Sequence, residues 1–548
     1  MTYRSAPDPQ QTGWPKGIPY IIGNEACERF SFYGMKAILK VYLITLLGQR
    51  GMALAHAQSQ STATVHFFIM ALYALPLWGA VVADRLLGKY LTILYLSLVY
   101  CAGHAVIALM EGDLEGTYFG LALLAIGAGG IKPCVSAHVG DQFGRGNWHR
   151  LERVFQAFYF SINFGAFFST LLVPWLRQEY GWALAFGVPG ILMAVATLSF
   201  WLGRHAFVHV PPSPGGRLGL LDSASATAFL AALAVPCLLN ELSWSLRLLW
   251  GFCAGALGIA IFAYRQRCQA DEGFLAILGY ALWAKLRGRE LPPLRTASPA
   301  PAASPPFKGN TLRALAARRF GTEVAEGPFA VLRILSVFIW VSMFWALFDQ
   351  YATSWLDQAT LMDTRCHLPG IGHFTLLKEQ IQAASPVLVM LLIPFVSLVF
   401  YPAMAKLGWK ITPLRRMALG MFIAAASFSA VALIQERIDA GIEMHIFWQL
   451  VPYLLLTLGE VMVSVTGLEF AYSQAPPSMK STIMGFWLLT VALGNAFTGA
   501  LAAFGELSLR SFFWTCSLLT ALAAVVFSLR SYFYRYRDYV QEAPLSPR

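Results

Sequence analysis

The chain has 548 residues, of which 57% are hydrophobic and only 13% charged, with a mean hydropathy of +0.56. A soluble globular chain carries about a quarter charged residues, so an ordinary soluble enzyme is excluded. The net charge of +11, from 40 Lys and Arg against 29 Asp and Glu, is spread over short loops between apolar runs, which speaks for a helical membrane protein and against a nucleic-acid surface.

Residues 1–18 hold Pro7, Pro9 and Pro15 and no apolar core of a signal peptide, so no cleaved leader is expected. Apolar segments follow near 20–47, 61–83, 90–110, 117–138, 153–176 and 183–203. Two more, about 219–239 and 246–264, read as a hairpin, and the Pro/Ala/Ser-rich stretch 297–310 reads as a linker. Six further segments lie near 330–356, 380–401, 412–434, 446–470, 481–503 and 512–530. Each approaches the roughly 20 residues that an α-helix needs to cross the hydrocarbon core. The expected fold is an all-α membrane protein with six plus six transmembrane helices and two extra helices in the central linker. Its units are a cytoplasmic segment 1–18, a bundle 19–205, a cytoplasmic linker 206–328, a second bundle 329–531 and a cytoplasmic tail 532–548.

One set of alternate loops carries Arg85, Lys89, Arg145, Arg150, Arg153, Lys406, Lys410, Arg415, Arg416 and Lys480, while Glu111, Asp113 and Glu115 lie in the other. The positive loops mark the cytoplasmic side, so both termini are expected there. Two six-helix halves joined by a cytoplasmic linker are the architecture of major facilitator transporters, which hold substrate at mid-membrane between the halves. The stretch from Gly79 through Asp84, Arg85 and Gly88 to Lys89 resembles that superfamily's loop between helices 2 and 3.

The first span contains Glu25, Glu28, Arg29, Lys36 and Lys40. An ion at a helix centre costs about 2.5–3.5 kcal/mol on insertion scales, so five of them require a shared wet or paired environment. At about 100° per residue they fall within an arc of about 120° that also holds Phe32. One face of this helix therefore lines a polar cavity, although a lysine as near the helix end as Lys40 could also snorkel. Counting about 1.5 Å per residue from the helix ends puts Lys36, His66 and Asp349 in the outer half. Glu25, Glu28, Arg29, Lys132 and Glu460 lie at mid-depth or further in. Pseudo-symmetry between the halves brings Lys36 toward Asp349 and Lys132 toward Glu460, as gating salt bridges that alternating access could break.

Five motifs in order now resemble one family, the proton-dependent oligopeptide transporters. Glu25-Ala26-Cys27-Glu28-Arg29-Phe30-Ser31-Phe32-Tyr33-Gly34 is similar to the family's ExxERFxYYG, with Phe32 in place of the first tyrosine. Gly127 to Pro133 with Asp141-Gln142-Phe143, and Phe158 to Gly165, are similar to its helix 4 and helix 5 motifs. Phe344 to Gln350 and Gly459 to Phe470 complete the set. The resemblance implies import of di- and tripeptides with protons across the cytoplasmic membrane, by a chain read as monomeric and without a cofactor. It implies that Arg29 and Lys132 hold the peptide carboxylate and that Glu460 and Asn163 hold the amine. Tyr33, Tyr73 and Trp487 would line side-chain pockets, unless they serve ordinary packing. Ser385 stands where the family usually has asparagine, and its shorter hydroxyl would reach less far toward the amine.

For proton coupling, Glu28 beside Arg29 comes first, with Glu25 in the same motif. His66 comes second, since an imidazole titrates near neutrality and this one lies ten residues before Pro76, as in the mammalian peptide transporters. Asp349 is its expected switchable partner. The rival readings are transport of another anionic or zwitterionic solute such as nitrate, a membrane enzyme using His66 and Asp349, and a receptor. No GxxxxGK[ST] or HExxH motif and no zinc-spaced cluster occurs, and the eight cysteines include no CxxC pair. Gly127-x-Gly129-Gly130 lies inside an apolar run, where it suits close helix packing better than phosphate binding.

Overall fold

The computed structural model describes residues 3–144, 146–238, 243–292, 310–368, 372–408, 411–476, 479–504 and 507–536. Arg145, Lys410, most of the Pro-rich stretch (297–309) and the end of the tail (537–548) lie outside the described residues. Among the described residues, 14 helices are long and apolar enough to cross a membrane, an even number that returns the chain to the face where it began. We call that face the terminal face and the opposite one the far face.

The first half comprises α1 (Ile18–Gln49), α2 (Leu54–Val82), α3 (Lys89–Leu109), α4 (Leu114–Asp141), α5 (Leu151–Tyr180) and α6 (Trp182–Leu202). The hairpin is α7 (Gly216–Leu238) and α8 (Trp244–Cys268). Two helices not anticipated from hydropathy follow, α9 (Phe274–Arg287) and α10 (Leu312–Phe320). The second half opens with α11 (Thr322–Phe348), continues through a 3₁₀ turn at Asp349–Ala352, and reaches α12 (Ser354–Ala359). Then come strands β1 (Arg365–Leu368) and β2 (Gly372–Thr375), a short antiparallel pair in the loop before α13 of an otherwise helical fold. The chain ends with α13 (Ala384–Phe395), α14 (Tyr401–Lys406), α15 (Pro413–Asp439), α16 (Leu450–Glu460), α17 (Thr466–Gln474), α18 (Lys480–Ala503) and α19 (Leu509–Tyr532).

Each half has its own core. Phe32, Ile69, Tyr100, Leu124 and Phe186 are buried together in the first, and Phe338, Phe344, Trp355, Phe428 and Phe513 in the second. Small residues set how closely the helices cross. A Cβ on Gly79 would lie 2.4 Å from the Gly130 carbonyl, and one on Gly127 would lie 2.7 Å from the Tyr100 backbone, so the glycines let α2, α3 and α4 meet backbone to backbone. The halves touch chiefly along α2 with α18 and α5 with α13. In the linker, α7 packs on α2 and α8 on α7, whereas α9 and α10 pack on α11.

Three spans contain a widened π-helical turn, at Ala83–Leu87, Val396–Phe400 and Val461–Val465. The last directly follows Glu460. Such turns re-aim side chains by inserting a residue into the i→i−4 ladder and recur at functional sites.

Candidate functional site

The charged stripe of α1 lies inside the molecule: Glu25, Glu28, Arg29, Lys36 and Lys40 are all buried. Each ion has a partner, which is how such a helix avoids the insertion cost. Arg29 Nε lies 3.2 Å from Glu25 Oε1, and Arg29 also pairs with Glu28 Oε2. The Arg29 guanidinium stands 5.7 Å from the Phe32 ring centroid. Lys132 reaches the same ring from α4 at 5.2 Å and sits 3.6 Å from the Tyr73 centroid, within cation–π range. Tyr73 packs against the cores of both halves, so this patch lies at their seam.

Toward the far face the seam closes on ion pairs. Lys36 Nζ lies 2.5 Å from Asp349 Oδ1 and 4.7 Å from the Tyr351 ring centroid. Lys40 is not snorkelling: it is fully buried, donates to the Thr353 carbonyl at 3.0 Å and pairs with Asp357. Arg177 of α5 lies 3.1 Å from Glu379. All three pairs join the first half to the second.

His66 does not bond Asp349 directly. Its Nδ1 lies 2.8 Å from Asn495 Oδ1, and Asn495 Nδ2 donates to Asp349 Oδ2 at 2.9 Å. Its Nε2 lies 3.0 Å from Thr353 Oγ1. His66, Asn495 and Thr353 are fully buried, and together they join α1, α2, α11 and α18 into one hydrogen-bonded chain. Sequence reasoning missed Asn495; an amide in the middle of an apolar span was the available signal. Asp357 and Thr353 were missed because they follow the end of α11, in a region that hydropathy reads as the edge of a span.

Lys132 and Glu460 form no ion pair among the described residues. Lys132 is held by aromatic rings, and Glu460 Oε2 is buried without a hydrogen-bond partner. The expected Lys132–Glu460 pairing is thus not formed among the described residues, because Lys132 turns to the Tyr73 and Phe32 rings. Tyr33 is partly buried against the first-half core, edge-on to the Phe32 ring with centroids 5.3 Å apart. Asn163 donates to its own helix at the Tyr159 carbonyl, 3.0 Å away, and Ser385 is buried at the start of α13. Trp487 is turned into the second-half core, 4.9 Å from Phe338 and beside Gly467, the ordinary packing that was its alternative. No group of three or more metal-ligating side chains occurs among the described residues.

Two helical halves with buried ion pairs across their seam define a membrane transporter of major facilitator architecture. The chain belongs to the POT family, whose profile matches residues 90–219 and 319–511. A crystal structure described as an auto-inhibited POT family peptide transporter superposes with a TM-score of 0.76 at 38% identity, covering 96% of this chain and 99% of that one. The POT family transporter PepTSo superposes at 0.75 and 37% identity, covering 95% and 99%. Solute carrier family 15 member 1 of Mus musculus is 31% identical over 86% of this chain and 59% of its own length. Member 2 of the same organism is 32% identical over 85% and 55%. The chain thus spans little more than half the length of these curated relatives.

Proposed function

We propose that the protein is a symporter that imports di- and tripeptides with protons across the cytoplasmic membrane by alternating access, with both termini cytoplasmic, as a monomer and with no cofactor beyond the coupling proton. The observation that carries the reading is the Lys36–Asp349 ion pair across the seam, hydrogen-bonded through Asn495 to the titratable His66. A contact of that kind holds one face shut until a proton changes its partners. The peptide transporters at 37–38% identity support the cargo class.

In this reading Arg29 and Lys132 receive the peptide carboxylate, charge to charge. Glu460, with its unpartnered oxygen, receives the amine, helped by Asn163 and Ser385 once Asn163 turns from its own helix. Tyr33 and Tyr73 offer aromatic surface to varied side chains, and Trp487 does so only along its rim. Glu25, Glu28, Arg29, His66 and Asp349 handle the proton. A peptide carboxylate arriving at Arg29 competes with Glu28, which ties cargo to proton. Lys132 and Glu460 approach in the opposite conformation as the second gate. One proton crossing 100 mV supplies about 2.3 kcal/mol, or roughly a fiftyfold concentration ratio.

The test is uptake of a labelled dipeptide by purified protein in liposomes under an imposed inward proton gradient. Accumulation that collapses with a protonophore, and that unlabelled di- and tripeptides compete away, is the expected result. Uptake indifferent to the gradient would remove the coupling, and competition by nitrate but not peptides would remove the cargo.

A further inference from the structure

The short helix α9 carries apolar side chains on two faces. Ile277, Ala281 and Ala284 are buried, the first two in the second-half core. Leu275, Leu282 and Leu286 are instead 57%, 52% and 78% exposed. At about 100° per residue these three leucines fall within an arc of about 40°, roughly opposite the buried face. Single exposed leucines need no explanation, but three in one stripe along a 14-residue helix form a contiguous apolar patch, and such patches mark contact surfaces.

Two ring contacts fix the height of this helix. At its start the Phe274 ring meets the Phe486 ring of α18 at 5.3 Å, six residues, or about 9 Å, inside the terminal-face end of that span. Farther along, the Tyr280 ring stands 5.6 Å from Phe320, which closes α10 just before α11 begins. The helix therefore climbs obliquely from inside the membrane border to the level where α11 starts. Charge changes in the same direction. Lys285, Arg287 and Arg289 are exposed at the outer end, and Lys285 and Arg287 flank the leucine stripe on opposite sides. The acid beside them, Glu290, is paired with Arg318.

We propose that α9 is an interfacial anchor. Its leucine stripe enters the acyl boundary of the terminal-face leaflet, and Lys285, Arg287 and Arg289 hold the phosphates of anionic lipids above it. An apolar stripe with basic flanks is the pattern of a helix that lies at the headgroup boundary. Trp283, 40% exposed between the stripe and Arg287, suits the same level. A second copy of the chain is the poorer occupant, since a twofold contact through this stripe would gather six cations around one axis. A water-soluble partner would have to enter the membrane border to reach Leu275. The anchor is thus fixed to lipid on one face and to α11 on the other. It requires only that the spans cross a membrane, so it stands apart from cargo and coupling.

Photo-crosslinking of the full chain in vesicles tests it. Leu282→p-benzoylphenylalanine and Leu286→p-benzoylphenylalanine place a probe on the stripe, and the same probe at Gln10, exposed in the N-terminal segment, gives the background. In phosphatidylcholine vesicles holding roughly one-third phosphatidylglycerol, irradiation is expected to give protein–phospholipid adducts, read by mass, at about fivefold or more above that background. Phosphatidylglycerol is expected in those adducts at about twice its share of the vesicle or more. Combining Lys285→Gln, Arg287→Gln and Arg289→Gln, all at exposed positions, is expected to bring the adducts back to the vesicle composition without lowering their yield. Adducts no more frequent than at Gln10, or crosslinks joining two copies of the chain, would overturn the anchor. Adducts that match the vesicle composition from the outset, or an enrichment that survives the triple variant, would overturn the headgroup role of the three cations.

Discussion

Lys36 and Asp349, 313 residues apart in the chain, meet at 2.5 Å inside the protein. Both are at least nine-tenths buried, so their attraction is little screened by salt, and each belongs to a different half. Removing one partner of a buried pair typically costs about 3–5 kcal/mol, because the other charge is left alone. Here the conformation can respond instead of the fold: separating the halves rehydrates the orphan. Lys36→Ala is therefore expected to widen the far face, read as a longer spin-label distance between positions Gln49 and Leu361, both exposed. Lys36→Asp with Asp349→Lys is expected to restore the shorter distance. An unchanged distance in Lys36→Ala would show that the pair does not hold the seam.

Asn495 fixes the tautomer of His66. With its amide NH₂ on Asp349, the amide oxygen faces His66 Nδ1, so Nδ1 carries the proton and Nε2 accepts from the Thr353 hydroxyl. When His66 becomes cationic, both nitrogens donate, and Thr353 turns its hydroxyl toward the Gln350 carbonyl, 3.4 Å away. Both protonation states are thus satisfied without moving a helix. Asn495→Leu is expected to abolish gradient-driven uptake while sparing counterflow, and Thr353→Val to produce a weaker loss of the same kind. Driven uptake at the wild-type rate in Asn495→Leu would disconnect His66 from Asp349.

Twelve core spans and the α7–α8 hairpin were legible because hydropathy over a helix length reports burial in lipid directly. The missing parts were those where the signal is not a run of apolar residues. The start of α2, with His56, Gln58, Ser59 and Gln60, is helical but polar, so the apolar run begins about two turns late. The 14-residue α9 is apolar both on its buried face, at Ile277 and Ala281, and on its exposed face, at Leu282 and Leu286, but it is too short to cross the hydrocarbon core, so a search for span-length runs passes it over. The 3₁₀ turn at Asp349–Ala352 is what brings Thr353 and Asp357 under Lys40, and no local rule announces it. In the site, depth counting placed Lys36 with Asp349, since both ions are intramembrane and carry a cost that needs an answer. Asn495 carries no charge and drew no such question, and matching depth did not make Lys132 and Glu460 partners, because the aromatic faces of Tyr73 and Phe32 take the ammonium instead.

Helix crossings predict where a single carbon matters. A Cβ on Gly494 of α18 would lie 2.3 Å from the Ser342 carbonyl and 2.7 Å from the Ala346 nitrogen of α11, and backbone atoms cannot swing aside as a side chain tip can. Gly494→Ala is expected to destabilise by roughly 1–3 kcal/mol and Gly494→Val by more. Gly279 of α9 has nothing within 4 Å of its Cβ position, so Gly279→Ala is expected to stabilise by about 0.5–1 kcal/mol through helix propensity. Thermal unfolding in detergent reads both signs, and a stabilising Gly494→Ala would contradict the α11–α18 crossing.

The linker hairpin packs α7 on α2 and is also tied by charges, within itself and to the first half. Asp222 of α7 receives Arg265 of α8 at 2.6 Å and lies 3.8 Å from Arg85, in the widened turn after α2. Arg85 also reaches Asp271 at 3.2 Å, and Gly219 approaches so closely that its Cβ would overlap the Arg85 carbonyl. The two acids are not equivalent. Arg265 is 3% exposed, so removing Asp222 strands a buried guanidinium, a loss in the range of about 3–5 kcal/mol. Arg85 and Asp271 are each a quarter to a third exposed, and such a pair contributes about 1 kcal/mol or less. Asp222→Ala is therefore expected to release the hairpin, seen as a lowered melting temperature and as protease cleavage in the segment 269–273, whereas Asp271→Ala should change neither appreciably. Equal effects from the two would mean that the hairpin is held by its apolar contacts with α2, and that Arg85 merely neutralises an acidic patch.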